Sequence, residues 1–282
     1  MNSKPNYHPD FTDGDVELIL ADSETRFRIE SSTLRRTSEF FAAVFVVGAK
    51  GEPAHFTIDE DEHTVEVLLK IASGLRFPNE WVDNLDGIEL LARAAEKYEV
   101  GAALEVVRLL LDSSAMRGPA ASLRKYALAS RHGWHDIAQD AARDALDVVL
   151  DFDDIPDMDM RHLTRLLSFR QKRVEAFVKA ISFRDDVTAI GAANRGLCPG
   201  GSTEHSIGED GTWQYLKAKM LLRIAEMPSG VTLLDDGDVV HNVRGVRACA
   251  RHSSSKAYDW ERLHAEILAC VAQLPKDLPR LP

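Results

Sequence analysis

The chain has 282 residues and a formal net charge of −11, from 34 Lys and Arg against 45 Asp and Glu. That length suggests two domains, or one domain with a helical extension. The acidic balance argues against bulk nucleic-acid binding and against an anionic membrane surface. With 45% apolar residues there is ample side chain to bury, which excludes disorder along the whole chain.

The elements can be taken in chain order. Residues 1–13 are polar with two prolines and read as a flexible arm. Val16, Leu18 and Leu20 alternate with Glu17, a strand pattern. A turn at 21–24 and a second run, Arg26-Phe-Arg-Ile29, complete a hairpin. Ser31, Ser32 and Thr33 supply N-cap hydroxyls for a helix near Leu34, and Ser38 for another carrying Phe41, Val44 and Phe45. His55-Phe-Thr-Ile58 is a third strand.

Asp59 and Glu62 have capping-box spacing before a helix with Val65, Leu68, Leu69 and Ala72 in phase, stopped by Gly74 or Pro78. Ile88, Leu91, Ala92 and Ala95 mark the next helix, and Ala103, Val106, Val107, Leu110 and Leu111 the one after. Residues 113–119 form a linker, followed by a helical hairpin with Tyr126 on one stripe and Trp134, Ile137, Ala138 and Ala141 on the other. The acidic run 151–159 is a connector, and 160–181 is helical. Residues 185–211 are the longest loop-like stretch. Trp213–Met227 and Trp260–Leu274 are helices, with a small hairpin expected over 231–240.

The order strand–strand–helix–helix–strand–helix–helix–helix over 15–112 resembles the BTB/POZ domain. The residues that carry the likeness are Asp15-Val-Glu-Leu18, Phe27-Arg-Ile29, Leu34 with Ser38-Glu-Phe-Phe41 and Val44-Phe45, then Leu90-Leu91, Ala94-Ala95 and Lys97-Tyr-Glu-Val100. Leu123–Ala129 followed by Gly133-Trp134 is similar to the helix pair after the domain in BTB proteins abundant in mushroom-forming fungi. The resemblance implies an α+β fold. A three-stranded sheet capped by about five helices spans 14–112, a BACK-like helical extension spans 120–181, and a mainly helical region spans 182–282. One departure falls at Glu30-Ser31, where the family has His-Lys shaping a charged pocket near its dimer interface.

The function implied is non-catalytic protein–protein interaction, by self-association or partner docking. Leu34, Phe41, Val44 and Phe45 are the candidate interface residues. The alternatives are a substrate adaptor of a cullin-type ubiquitin ligase and, less favoured, a metal-dependent enzyme. Expected partners are proteins, including a second copy or a cullin, and neither nucleic acid nor membrane.

No catalytic residues and no cofactor are expected from the motifs, since there is neither a Gly-x-Ser-x-Gly elbow nor a His-Glu-x-x-His. Three cysteines are too few for a disulfide framework and suit a reducing compartment, cytoplasmic or nuclear. The one metal-ligand constellation pairs Cys198 and His205 with Cys249 and His252, a donor set for a structural zinc. Trp81, between Pro78 and Asp83, is either an exposed contact or a cover over the next helix. Arg161, Arg165, Arg170, Lys172 and Arg173 make a basic face, read as salt-bridged to the acidic connector.

Overall fold

In the computed structural model, the described residues are 5–46, 54–113, 116–151, 153, 155–186, 212–234 and 260–280. The chain divides into two units, Met1–Arg117 and Gly118–Pro282. The first is α+β and the second, as described, is helical.

The hairpin β2 (Val16–Leu20) and β3 (Thr25–Ile29) forms where alternation requires it, with Leu18 opposite Phe27 and Val16 opposite Ile29. Strand β4 (Ala54–Ile58) pairs parallel to β2, Leu18 against Phe56 and Leu20 against Ile58. A parallel partner needs a long crossover. Here the crossover contains β3, α1 (Ser31–Thr37) and α2 (Glu39–Val46). The inward residues Leu18, Leu20, Phe27 and Ile58 are buried. The opposite face is polar: Glu17 lies between Arg26 at 2.6 Å and His55 at 3.5 Å, and Arg28 sits over the Tyr7 ring.

The expected flexible arm is instead a fourth strand. β1 (Asn6–Thr12) pairs parallel to β3 at the sheet edge, giving the order β1-β3-β2-β4. Pro9 obscures the strand in sequence, but an edge position tolerates a residue without an N–H. Apolar packing holds it, with Phe11 buried and His8 stacked 4.9 Å from Phe27. Charge ties it to α3 (Glu62–Ser73), through Lys70 to Asp10 at 3.0 Å, with Lys70 steadied by Glu66 of its own helix at 2.5 Å. Only three residues lead from β1 across the end of β3 into β2. Gly14 makes that passage possible: at φ +140°, a Cβ there would lie 2.2 Å from the Ile29 carbonyl carbon.

The cap of α3 lies two residues past the expected Asp59. Asp61 is the N-cap, accepting from the Thr64 N–H at 3.0 Å, because a run of four acids at 59–62 leaves the register open in sequence. α4 (Leu85–Lys97) buries Ile88, Leu91, Ala92 and Ala95 as their spacing predicts. α5 (Gly101–Asp112) buries Ala103, Val107 and Leu111, with Val106 and Leu110 half-buried.

In the second unit, α6 (Pro119–Arg131) and α7 (His135–Asp144) form the expected antiparallel hairpin around Tyr126, Ile137, Ala138 and Ala141. α8 (Met160–Asp186) runs five residues past the expected end. With α9 (Thr212–Glu226) and α10 (Trp260–Ala272) it buries Phe177, Ile181, Met220, Ile224 and Ile267 in one core. The expected division at 181/182 is therefore not a boundary, since α8 belongs to both sides of it. The tail closes the unit further: the Lys276 carbonyl accepts from Gln139 and Arg143, and the Pro279 carbonyl from Arg165. Residues 231–234 are turns rather than the first arm of a hairpin, and 239–240 lie outside the described residues. Among the described residues, no helix is long and apolar enough to cross a membrane.

Candidate functional site

The sequence of α2, Glu-Phe-Phe-Ala-Ala-Val-Phe-Val, is apolar on every side after its first residue. A helix with apolar residues all round either lies wholly inside a core or leaves some of them at the surface. α2 does the second. Phe41 points inward, buried and stacked on Tyr98 with ring centroids 5.6 Å apart. Phe45 stacks on Phe41 at 5.8 Å and meets Phe56 edge-on at 5.2 Å, yet is half-buried, as is Val44. Phe40 stands edge-on to Tyr98 at 5.6 Å and is 37% exposed, beside exposed Ala43. Such tilted and offset ring pairs contribute about 0.5–1.5 kcal/mol each beyond burial, so the face is stiff.

The support beneath this face is polar and local. The Ser38 hydroxyl accepts from the Phe41 N–H at 3.0 Å and donates to the Tyr98 carbonyl at 2.6 Å, fixing the start of α2 on the end of α4. The Tyr98 hydroxyl donates to the Glu60 carboxylate, which also takes Lys97 at 2.8 Å. Burial, then the hydrogen bond to Glu60, push the Tyr98 phenol up to about 12. The bond to Glu60 raises Lys97 too.

Of the four interface residues expected from sequence, Leu34 and Phe41 are core, while Val44 and Phe45 reach the surface; Phe40 joins them. A period that places Phe41, Val44 and Phe45 together cannot say which of them the sheet covers. Trp81 is not an exposed contact. It is buried in a short turn of helix against Gly87, where a Cβ would sit 2.9 Å from its ring, so Gly87 is the signal that reveals it. Cys198, His205, Cys249 and His252 lie outside the described residues. Among the described residues, no group of three or more His, Cys, Asp or Glu is placed to hold a metal ion.

The basic face of α8 separates into two kinds of residue. Arg161 is exposed and pairs with Asp159 at 3.3 Å, and Lys172 is exposed. Arg170 and Arg173 are buried, and main-chain carbonyls hold them. Arg170 donates to Ala145 at 2.5 Å, Val148 at 2.9 Å and Glu226 at 2.7 Å. Arg173 donates to Pro228 at 2.7 Å, Ser229 at 3.1 Å and Pro275. Loss of water pushes Arg170 down to about 10, and burial lowers Arg173. The planar fork suits this role, because one guanidinium reaches several acceptors in fixed directions.

Beside Arg170 lies a groove of about 630 Å³. Its floor is one stripe of α8, Thr164, Leu167, Ser168, Gln171 and Val174; Val149 and Leu150 form one wall, Ala225 to Pro228 the other. Sequence reading does not find it, since its walls come from segments 75 or more residues apart, and an arginine bonded to carbonyls leaves no partner signature.

No protein-family model matches the chain, and no curated protein matches it in sequence. The reading of function therefore rests on the residues themselves. Charge separates the two units as sharply as fold does. Met1–Arg117 carries 12 Lys and Arg against 22 Asp and Glu, and Gly118–Pro282 carries 22 against 23.

Proposed function

We propose that this chain is a non-catalytic protein-interaction module, and that its first unit is a BTB/POZ-type domain acting through self-association. One observation carries the reading: the solvent side of α2 offers Phe40, Ala43, Val44 and Phe45 with no charge among them, on a face held rigid by the ring stack below. Rigid aromatic surface loses little side-chain freedom on association, which is why such residues anchor interfaces. The sheet order, with a hairpin and a parallel third strand under helices, supports the family assignment drawn from the sequence motifs. Among the described residues, the tyrosine, lysine and arginines most displaced in ionisation are bonded into the packing.

Sedimentation velocity of the full chain tests this. A dimer is expected at tens of micromolar protein. Raising salt from about 50 to 500 mM will tighten it, because two strongly acidic units repel across the contact until ions screen them. The double substitution Phe40→Glu with Ala43→Glu, both at exposed positions, will give a folded monomer of unchanged helix content, its melting temperature lowered by the lost Phe40–Tyr98 ring contact. A wild-type chain that stays monomeric at all salt concentrations defeats the proposal.

A further inference from the structure

The sheet has an outer face, turned away from α2. Phe56, which meets Phe45, belongs to the inner face, and its neighbour His55 to the outer one. Alternation gathers Tyr7, Glu17, Arg26, Arg28 and His55 on that outer face, from all four strands.

Most of these groups are paired with one another. Glu17, buried, takes Arg26 at 2.6 Å, and lies 3.5 Å from both His55 and Tyr7. Arg28 is the exception. It stands opposite Glu17 in the register, yet among the described residues no oxygen accepts from it. The Asp15 carboxylate is taken by Ser31, and Glu30, exposed two residues along, does not bond Arg28 either. What holds Arg28 is the Tyr7 ring, whose centroid lies 5.6 Å from the guanidinium carbon. Its Nε is shielded from water and unbonded, while the two terminal nitrogens face out.

A half-buried guanidinium with no acceptor is uncommon in a folded protein and asks for an explanation. Two outward nitrogens in one plane match the two oxygens of a carboxylate. The ring fixes that fork beforehand, so little freedom is lost on binding. Tyrosine and arginine are also the residues that most often anchor protein contacts. A free anion would use the fork alone. A peptide laid across the strands also reaches Arg26, its side chain 39% exposed, and His55, 54% exposed. The unit as a whole is acidic, so the attraction is local, within a screening distance of about 8 Å at physiological salt.

We infer that the outer face of the sheet binds an acidic peptide segment of a partner protein, one Asp or Glu carboxylate of which takes the Arg28 fork above Tyr7. This goes beyond self-association and needs no contact at α2.

The experiment pans a random dodecapeptide library, displayed on phage, against the full chain. Enriched peptides are resynthesised and their Kd measured by fluorescence anisotropy. They are expected to share an Asp or Glu. Changing that acid to its amide, or Arg28→Gln in the protein, will each weaken binding by about tenfold or more. The two changes together will lose little beyond either alone, the mark of a direct pair. Arg28→Lys will also lose most of the binding, since an ammonium has no fork. Arg28→Gln breaks no hydrogen bond within the protein, so its helix content and sedimentation will match the parent's. The Phe40→Glu, Ala43→Glu chain will bind the peptides as the parent does, which keeps this result apart from that for α2. The inference is overturned by no enrichment, by peptides that need no acid, by losses that add in full, or by loss of binding in the α2 variant. Self-association abolished by Arg28→Gln would also overturn it, making a second copy the occupant.

Discussion

The two units solve the same problem with opposite means. In the first, a four-stranded sheet and its helices close on apolar side chains, and charged groups pair side chain to side chain, a partly exposed base with a sheltered acid, as in Arg26–Glu17 and Lys97–Glu60. In the second, helices are joined by cations taken inside, Arg170 and Arg173, each answered by carbonyls from segments distant in sequence. Surface pairs contribute little and are easily exchanged. A buried guanidinium is another matter, because removing it strands every acceptor it served.

That contrast can be broken most directly at Arg170. Arg170→Met should cost about 3–5 kcal/mol, read as a lowered urea midpoint, since three carbonyls lose their donor. Hydrogen exchange should show protection lost through α8 and α9 while β2 and β3 keep theirs. Arg170→Lys should recover little, for one ammonium cannot span three segments. A Met variant as stable as the parent would show that the carbonyls find other donors.

A smaller effect sharpens the account of the first unit. Tyr98 titrates near 12 when folded and near 10 when unfolded. Its protonated form is the one the fold favours, so its contribution is complete below pH 10 and is lost as pH rises through 12. Lys97, also raised, drifts in the same direction. Denaturation midpoints between pH 9 and 12 should fall, and Tyr98→Phe should flatten that fall.

The smallest expected change is at Asp15. Its carboxylate accepts from the Ser31 N–H at 2.5 Å and hydroxyl at 2.7 Å, capping α1 from the residue just before β2, and those bonds hold it below the usual carboxylate range. The contribution is present above the ordinary carboxylate pKa and is lost as pH falls through the lowered folded value. Asp15→Ala should cost about 1 kcal/mol at neutral pH by thermal melting, and less as the carboxylate is protonated in acid.

How much of this was legible in the residues follows the same division. The hairpin and helices α3 to α5 announce themselves because one side of each faces a core and the other faces water, so period alone finds them. β1 was missed because Pro9 looks like a breaker, when an edge strand has room for it. At the aromatic face, Phe41, Val44 and Phe45 were visible as a stripe, but which of them the sheet covers depends on Tyr98 and Phe56, far along the chain. The arginine clips and the groove were not legible at all. Arg170 and Arg173 sit in a run of bases that reads as one face salt-bridged to the acidic connector, and only the packing of α8 turns two of them inward.

The carbonyl clips have a bearing on how such a chain can drift. Every amino acid brings a main-chain oxygen, so the receiving positions that are not themselves buried, Val148, Glu226 and Ser229, can change identity provided the backbone path survives. A mutational scan of the second unit should then find two intolerant arginines whose outward acceptors, Val148, Glu226 and Ser229, tolerate most substitutions, with no compensating partner mutation to betray what they touch.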